Sequence, residues 1–185
     1  MKLLELILAS DVSAALALIQ NGYDVSEADT SGETALMVAS GLKENTLLAA
    51  LLSSGAWVNA EDSDGEQALH RCAAVGNNDG ILMLLNAGAD VDHKNAEGKT
   101  PLIIAAIMGQ LSTCDTLIKT GANIHLTDAL GRNALHWAAI RNDDLKLVEL
   151  LLDAGISASI CDDSGMTPMA LATLVTHTNA AKALT

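Results

Sequence analysis

The chain alternates short apolar runs with polar stretches that contain glycine. Some runs, such as "ALMVAS" and "PLIIAA", begin shortly after a glycine and a small polar residue, and others, such as the one in "LLNAGAD", end at a Gly-Ala pair. A polar residue before an apolar run is typical of a helix start. A glycine directly after such a run suits the left-handed conformation that closes a helix. The pattern therefore predicts pairs of short helices.

Two sets of glycines recur at one interval. The first set is Gly32, Gly65, Gly98, Gly131 and Gly165, and the second is Gly22, Gly55, Gly88, Gly121 and Gly155. In both sets the steps are 33, 33, 33 and 34 residues. The extra residue of the last step falls in "RNDDLK", at the loop between two helices, where an insertion costs little. Two glycine sets in one register predict a repeated structural unit.

The glycines and prolines have specific conformational uses in this unit. The first glycine precedes the first helix, where a turn often needs a positive φ. Pro101 and Pro168 are predicted to lie in the first turn of a helix, because the N–H that proline lacks has no partner there. The second glycine is predicted to end the second helix.

Aligned on the glycines, the segments resemble one known repeat family. They read "SGETALMVAS", "DGEQALHRCA", "EGKTPLIIAA", "LGRNALHWAA" and "SGMTPMALAT". They resemble ankyrin repeats, in which Gly-x-Thr-Pro-Leu-His-x-Ala-Ala is followed about fifteen residues later by Leu-Leu-x-x-Gly-Ala. The departures are "TAL", "QAL" and "NAL" in place of Thr-Pro-Leu, and Lys43 and Asn142 in place of the glycine between the helices.

The resemblance implies an all-α ankyrin-repeat solenoid of about six units, with four full units between degenerate N- and C-terminal capping units. Antiparallel helix pairs would stack side by side, with hairpin-like fingers along one edge. We expect one domain over residues 1–185, with units at approximately 1–30, 31–63, 64–96, 97–129, 130–163 and 164–185. The composition agrees, because half of the residues are hydrophobic and none is Phe, which suits close helix packing.

The charge narrows the choice of partner. Ten basic and 23 acidic residues give a net charge of −13, which repels phosphates and anionic membranes. We therefore expect no nucleic-acid partner and no membrane partner. The predicted fingers hold fourteen acidic and three basic residues, and their ranges are 23–34, 56–67, 89–100, 122–133 and 156–167. This acidic surface fits a basic protein partner. The abundance of acids in the fingers is explained equally well by the preference of turns for Asp and by the contribution of charge to solubility.

The stretch "SDGEQALHRCAAVGNND" could pass for an active site. The resemblance instead gives His70 and His136 a structural role, in which they form hydrogen bonds between loops. Cys72 occupies a small-residue packing position, and no activating groups surround it in the sequence, so we expect a buried inert thiol. His93 and His125 lie in fingers, where a solvated side chain is a simpler expectation than a metal ligand. We expect no enzyme activity, no cofactor and no metal.

The remaining features concern the compartment. Three cysteines without close spacing indicate neither a disulfide framework nor a zinc site. The start "MKLLELILAS" is interpreted as a helix and not as a signal peptide, and no stretch approaches the length that spans a bilayer. We expect a cytoplasmic protein, or a secreted or periplasmic one if a signal peptide has been removed.

A partner-binding surface is predicted at the fingers and at the ends of the first helices, because in ankyrin proteins these positions line the concave face. Trp57 replaces the small polar residue expected after "GA" and is a candidate anchor, whereas Trp137 is assigned to packing between repeats. The candidate residues are Glu33, Leu42, Trp57, Glu61, Asp64, Glu66, Val75, Glu97, Ile107, Met108, Ile140 and Arg141.

The function predicted from these residues is non-catalytic binding of a basic protein partner. The chain, monomeric when free, would act as an adaptor or as an inhibitor of the immunity-protein type. The alternative is a structural or stress-protective accessory protein without one dedicated partner, whose charge serves solubility alone. An enzymatic reading would need a deep closed pocket around His93 and His125.

Overall fold

The computed structural model of the protein describes residues 2–141 and 143–184. The chain divides into two compact units, Met1–Asp90 and Val91–Thr185. The described residues form twelve helices and, apart from one isolated bridge, no β-pairing. The prediction of an all-α repeat fold is therefore confirmed.

The first compact unit contains three helix pairs. Its helices are α1 (Lys2–Leu8), α2 (Val12–Gln20), α3 (Ala35–Gly41), α4 (Asn45–Ser53), α5 (Ala68–Val75) and α6 (Asn78–Asn86). The first helices of the pairs, α1, α3 and α5, pack side by side, and so do α2, α4 and α6. The core between these layers consists mainly of leucine and alanine, with Leu47, Leu51 and Leu69 at most 1% exposed.

The second compact unit repeats this arrangement. Its helices are α7 (Pro101–Ile107), α8 (Leu111–Lys119), α9 (Ala134–Arg141), α10 (Leu145–Asp153), α11 (Pro168–Leu174) and α12 (Thr178–Ala183). Helices α7, α9 and α11 form one layer, and α8, α10 and α12 form the other. Ala105, Ala138 and Ala172 are fully buried in the first layer. Their small side chains allow neighbouring helices to approach closely.

The helix starts follow the sequence signals. Thr100 and Thr167 cap α7 and α11, because each hydroxyl accepts a backbone N–H of the first turn. Pro101 and Pro168 are the first residues of these helices, as predicted. Short helices of seven residues gain much from such caps, because few of their own amides have intrahelical partners.

The loop that joins the two helices of a pair needs a residue in the left-handed conformation. Gly76 and Gly109 have φ of 72° and 69°, and Lys43 has φ of 59° at the corresponding place after α3. Asn142, which stands at this place in the next repeat, lies outside the described residues. A residue with a Cβ is strained in this region, so Lys43 stores a small conformational penalty.

Replacing Lys43 by glycine is expected to raise the free energy of unfolding by about 0.5–1 kcal/mol, because glycine adopts a positive φ without strain. The Lys43 side chain is exposed, so its removal costs no buried contact. Urea denaturation followed by circular dichroism measures the change. Lys43→Ala is the matched control, since it removes the same charge and keeps the strain. An equal shift in both variants would show that charge, and not backbone conformation, sets the effect.

Candidate functional site

One side chain in each finger closes the finger turn. Asp62 Oδ1 accepts the backbone N–H groups of Asp64 and Glu66, each at 2.9 Å. The residues at the same position of the other fingers accept the amides two and four places ahead in the same way, and they are Asp29, Asn95, Asp128 and Asp162. Four of the fourteen finger acids therefore have a structural task, and the acidic surface open to a partner is smaller than the sequence count suggested.

In the first compact unit, Met1–Asp90, Arg71 lies among three carboxylates. Its guanidinium donates to Asp62 Oδ2 at 2.7 Å, and its Nε and Nη2 atoms lie 3.2 Å and 3.8 Å from carboxylate oxygens of Glu66 and Glu33, respectively. Burial alone would lower the pKa of Arg71, but the hydrogen bond to Asp62 and the adjacent carboxylates outweigh burial and raise this pKa. Two predicted partner-binding acids, Glu33 and Glu66, are thus brought together around one cation. The four side chains keep a net negative charge.

Other candidate residues of the first unit are exposed to different degrees. Trp57, in the loop after α4, is 70% exposed, and Glu61 and Asp64 are exposed in the finger that follows. Leu42 is exposed directly after α3, and Val75 is half-buried at the end of α5. An indole with this exposure contributes little to the core, so Trp57 is available for contact with a partner.

In the second compact unit, Trp137 occupies the position of its repeat that Arg71 occupies in another repeat, directly after the motif histidine. Its indole Nε1 donates to Asp128 Oδ2 at 2.7 Å. Lys99 Nζ and the Arg132 guanidinium lie 5.3 Å and 5.5 Å from the ring centroid, within the range of cation–π attraction. Both Arg71 and Trp137 follow a buried histidine and donate to the turn aspartate of their own repeat. The ring of Trp137 is therefore held in one orientation.

Trp137 forms one wall of a cleft of about 400 Å³. Ala96, Ala129 and Leu130 supply further apolar lining, and Leu130 is 51% exposed. Glu97 lies at the rim and pairs with Lys99. Glu97 was among the candidate residues predicted from the sequence, but Trp137 was assigned only to packing, so this cleft was not predicted.

The ends of the first helices in the second unit have mixed exposure. Met108 and Arg141 are exposed, and Ile107 and Ile140 are half-buried. Helices α7 and α9, which carry them, are neighbours in one layer. The predicted apolar surface is therefore partly open here, and Arg141 adds a cation to it.

The histidines of the repeat motif, His70 and His136, are buried, and so is Cys72. His70 Nδ1 accepts the backbone N–H of Gln67 at 3.2 Å, which fixes the start of α5. Burial lowers the pKa of His136 despite a backbone hydrogen bond to Met166, so the neutral ring is favoured. Burial also raises the pKa of Cys72 to about 11 and that of Cys114 to about 12. Neither thiol is therefore ionised near neutral pH, as a nucleophile must be.

The two finger histidines, His93 and His125, lie within the described ranges 2–141 and 143–184. His93 is half-buried and His125 is exposed, and no three His, Cys, Asp or Glu side chains of these ranges converge to hold a metal ion. The same ranges contain no helix with the length and apolar character needed to cross a bilayer.

Comparison with known families agrees with the geometry. A sequence model described as ankyrin repeats in three copies matches residues 6–95 and 102–185, which is most of the chain. A second model, described as ankyrin repeats in many copies, matches residues 75–118. No curated protein sequence matches the chain significantly.

Proposed function

The chain belongs to the ankyrin-repeat family, whose members are generally protein–protein interaction modules, and we propose on this basis that it binds a basic protein partner without catalysing a reaction. In this proposal it acts as an adaptor or as an inhibitor. The partner contacts the fingers and the ends of the first helices. The distribution of charge is the observation that carries the choice of a basic partner.

The negative charge is concentrated in the first compact unit. Met1–Asp90 contains thirteen acidic and three basic residues, whereas Val91–Thr185 contains ten acidic and seven basic residues. The first unit therefore has a net charge of −10 and the second one of −3. A charge of this size over half of the chain attracts a basic protein and increases its association rate.

Specific carboxylates of the first unit would meet the partner. Glu61 and Asp64 are exposed in one finger, and Glu33 and Glu66 share the single guanidinium of Arg71. An incoming lysine or arginine would gain from the uncompensated charge of this cluster. Exposed Leu42 and Trp57 add the apolar contact that most protein interfaces need.

Reversal of the two exposed acids, Glu61→Lys with Asp64→Lys, tests the proposed function. Glu66 is left intact because its reversal would place a lysine beside Arg71 and disturb the fold. A partner captured from a lysate of the source organism by the wild-type chain is titrated against each variant. We expect affinity to fall by roughly tenfold or more, with a weaker salt dependence.

The matched control is Glu149→Lys with Asp153→Lys, two exposed acids on α10 that change the net charge equally. Full affinity in the control and reduced affinity in the finger variant support the proposed site. Equal losses would mean that overall charge, and not the fingers, attracts the partner. If the wild-type chain captures no specific protein, the accessory role without a dedicated partner becomes the better explanation.

Trp57→Ala is expected to weaken binding of that partner by about 2 kcal/mol, since an exposed indole is a typical interface anchor. The free energy of unfolding should change by less than about 0.5 kcal/mol, because the side chain is mostly in solvent. Isothermal titration calorimetry and urea denaturation measure the two quantities. Leu82→Ala, at an exposed position of α6, is the control. A large stability loss in Trp57→Ala with unchanged binding would contradict the anchor role.

A further inference from the structure

We propose that the cleft beside Trp137 binds one lysine or arginine side chain of the protein partner. The aliphatic part of that side chain lies against Leu130 and Trp137, and its cationic end lies at Glu97. The inference rests on the proposed function, because the side chain belongs to the partner. It adds a defined subsite in the second compact unit, where the sequence had indicated the finger residue Glu97 and helix-end contacts but no cleft.

The lining of the cleft suits a long side chain with an apolar stem. Leu130 is 51% exposed, and the alanines at 96 and 129 and the ring of Trp137 extend the apolar lining of this cleft of about 400 Å³. Lysine and arginine bury their methylene groups against such surfaces and keep the charged end in contact with polar groups. The lining therefore fits the stem.

The exposed charged group at the rim is the carboxylate of Glu97, which pairs with Lys99 of the same lining. In the Glu97–Lys99 pair, the carboxylate side chain is 69% exposed and the lysine side chain is 17% exposed. Asp128, the other acid of the lining, is buried and already accepts two turn amides and the Trp137 indole. Glu97 is thus the accessible charge of the cleft, and it complements a cation.

The site is already ordered before a ligand arrives. The hydrogen bond to Asp128 and the two flanking cations hold the Trp137 ring, and Arg132 is itself held by Asp162 at 2.9 Å. A wall that is fixed in advance loses little conformational entropy on binding. The corresponding residues of the other repeats are Val38, Arg71, Ile104 and Leu171, so the aromatic wall is a feature of the Trp137 repeat.

Titration with small peptides, observed at the Trp137 indole by ¹H–¹⁵N NMR, tests the subsite. The protein has two tryptophans, so Trp57→Phe leaves a single indole signal, that of Trp137. The probes are acetyl-Gly-Lys-Gly-amide, the analogue with norleucine, and the analogue with glutamate. We expect the lysine peptide to shift the signal to saturation in the millimolar range, and the other two to bind at least threefold more weakly.

Glu97→Gln should lower the affinity for the lysine peptide by roughly threefold, which is the effect expected from the loss of one partly exposed ion pair. Glu149→Gln on α10 removes the same charge away from the cleft and should leave binding unchanged. Equal binding of norleucine and lysine, preference for glutamate, or an unshifted Trp137 signal would each overturn the proposal. Partner binding through the first unit is measured separately by the finger reversal, so failure of the subsite and failure of the proposed function are distinguishable.

Discussion

Replacing Gly98 by alanine should lower the free energy of unfolding by about 2–3 kcal/mol. Gly98 has φ of +76°, where a Cβ is strained by about 1 kcal/mol. A Cβ built there would lie 2.8 Å from the backbone nitrogen of Ala129, and no side-chain rotation could relieve the clash. That nitrogen donates to Glu97 O at 3.0 Å, a bond between neighbouring fingers. Its loss would cost about a further 1 kcal/mol.

Gly165→Ala is the control, because Gly165 has the same φ of +76°, lies in the same compact unit, and has nothing within 4 Å of the added Cβ. It should therefore show the conformational strain alone, about 1 kcal/mol. Urea denaturation of both variants gives the difference. Equal losses would show that the approach of the two fingers contributes nothing to stability.

Asp128→Ala is expected to lower the free energy of unfolding by about 3 kcal/mol. The carboxylate is buried, with one oxygen bonded to the amides of Leu130 and Arg132 and the other to the Trp137 indole. Alanine would leave these three donors without acceptors, and each unsatisfied donor of this kind costs about 1 kcal/mol or more. Denaturation followed by tryptophan fluorescence would also report the released indole.

Asp128→Asn distinguishes the two roles of this side chain, which are to accept the turn amides and to accept the indole N–H of Trp137. Asn95 shows that an amide oxygen closes this turn as well as a carboxylate oxygen does. The side-chain amide nitrogen of the asparagine would face the indole of Trp137 and cannot accept its N–H. The free energy of unfolding should therefore fall by about 1 kcal/mol in this variant. Both variants remove the same charge. If they lost equal stability, the turn amides would not depend on this side chain.

The repeat fold could be predicted because its determinants are local. Each turn needs a residue with φ > 0, so glycine recurs at fixed spacing, and the helix starts at Pro101 and Pro168 follow from the lost N–H of proline. The division into compact units after Asp90 has no such signal. The glycine interval from Gly65 to Gly98 is 33 residues, as elsewhere in the chain.

The candidate site was harder to predict because sequence does not separate structural charges from available ones. Asp62 and Asp64 are two residues apart in one acidic finger, yet the first closes the turn and the second is exposed. One signal was present: Asp or Asn recurs three residues before the first glycine of each repeat. The bond from Trp137 to Asp128 depends on a side-chain orientation that spacing alone cannot give.

The three cysteines give each compact unit its own reporter of local opening. Cys72 is fully buried in the first unit and Cys114 in the second, whereas Cys161 is exposed. A thiol reagent should modify Cys161 at once and reach the other two only when their surroundings transiently unfold. The alkylation rates of Cys72 and Cys114, resolved by mass spectrometry of peptides, therefore measure the opening free energy of each half without any inserted probe. Repeat proteins can lose structure segment by segment, and this chain carries the labels needed to observe it.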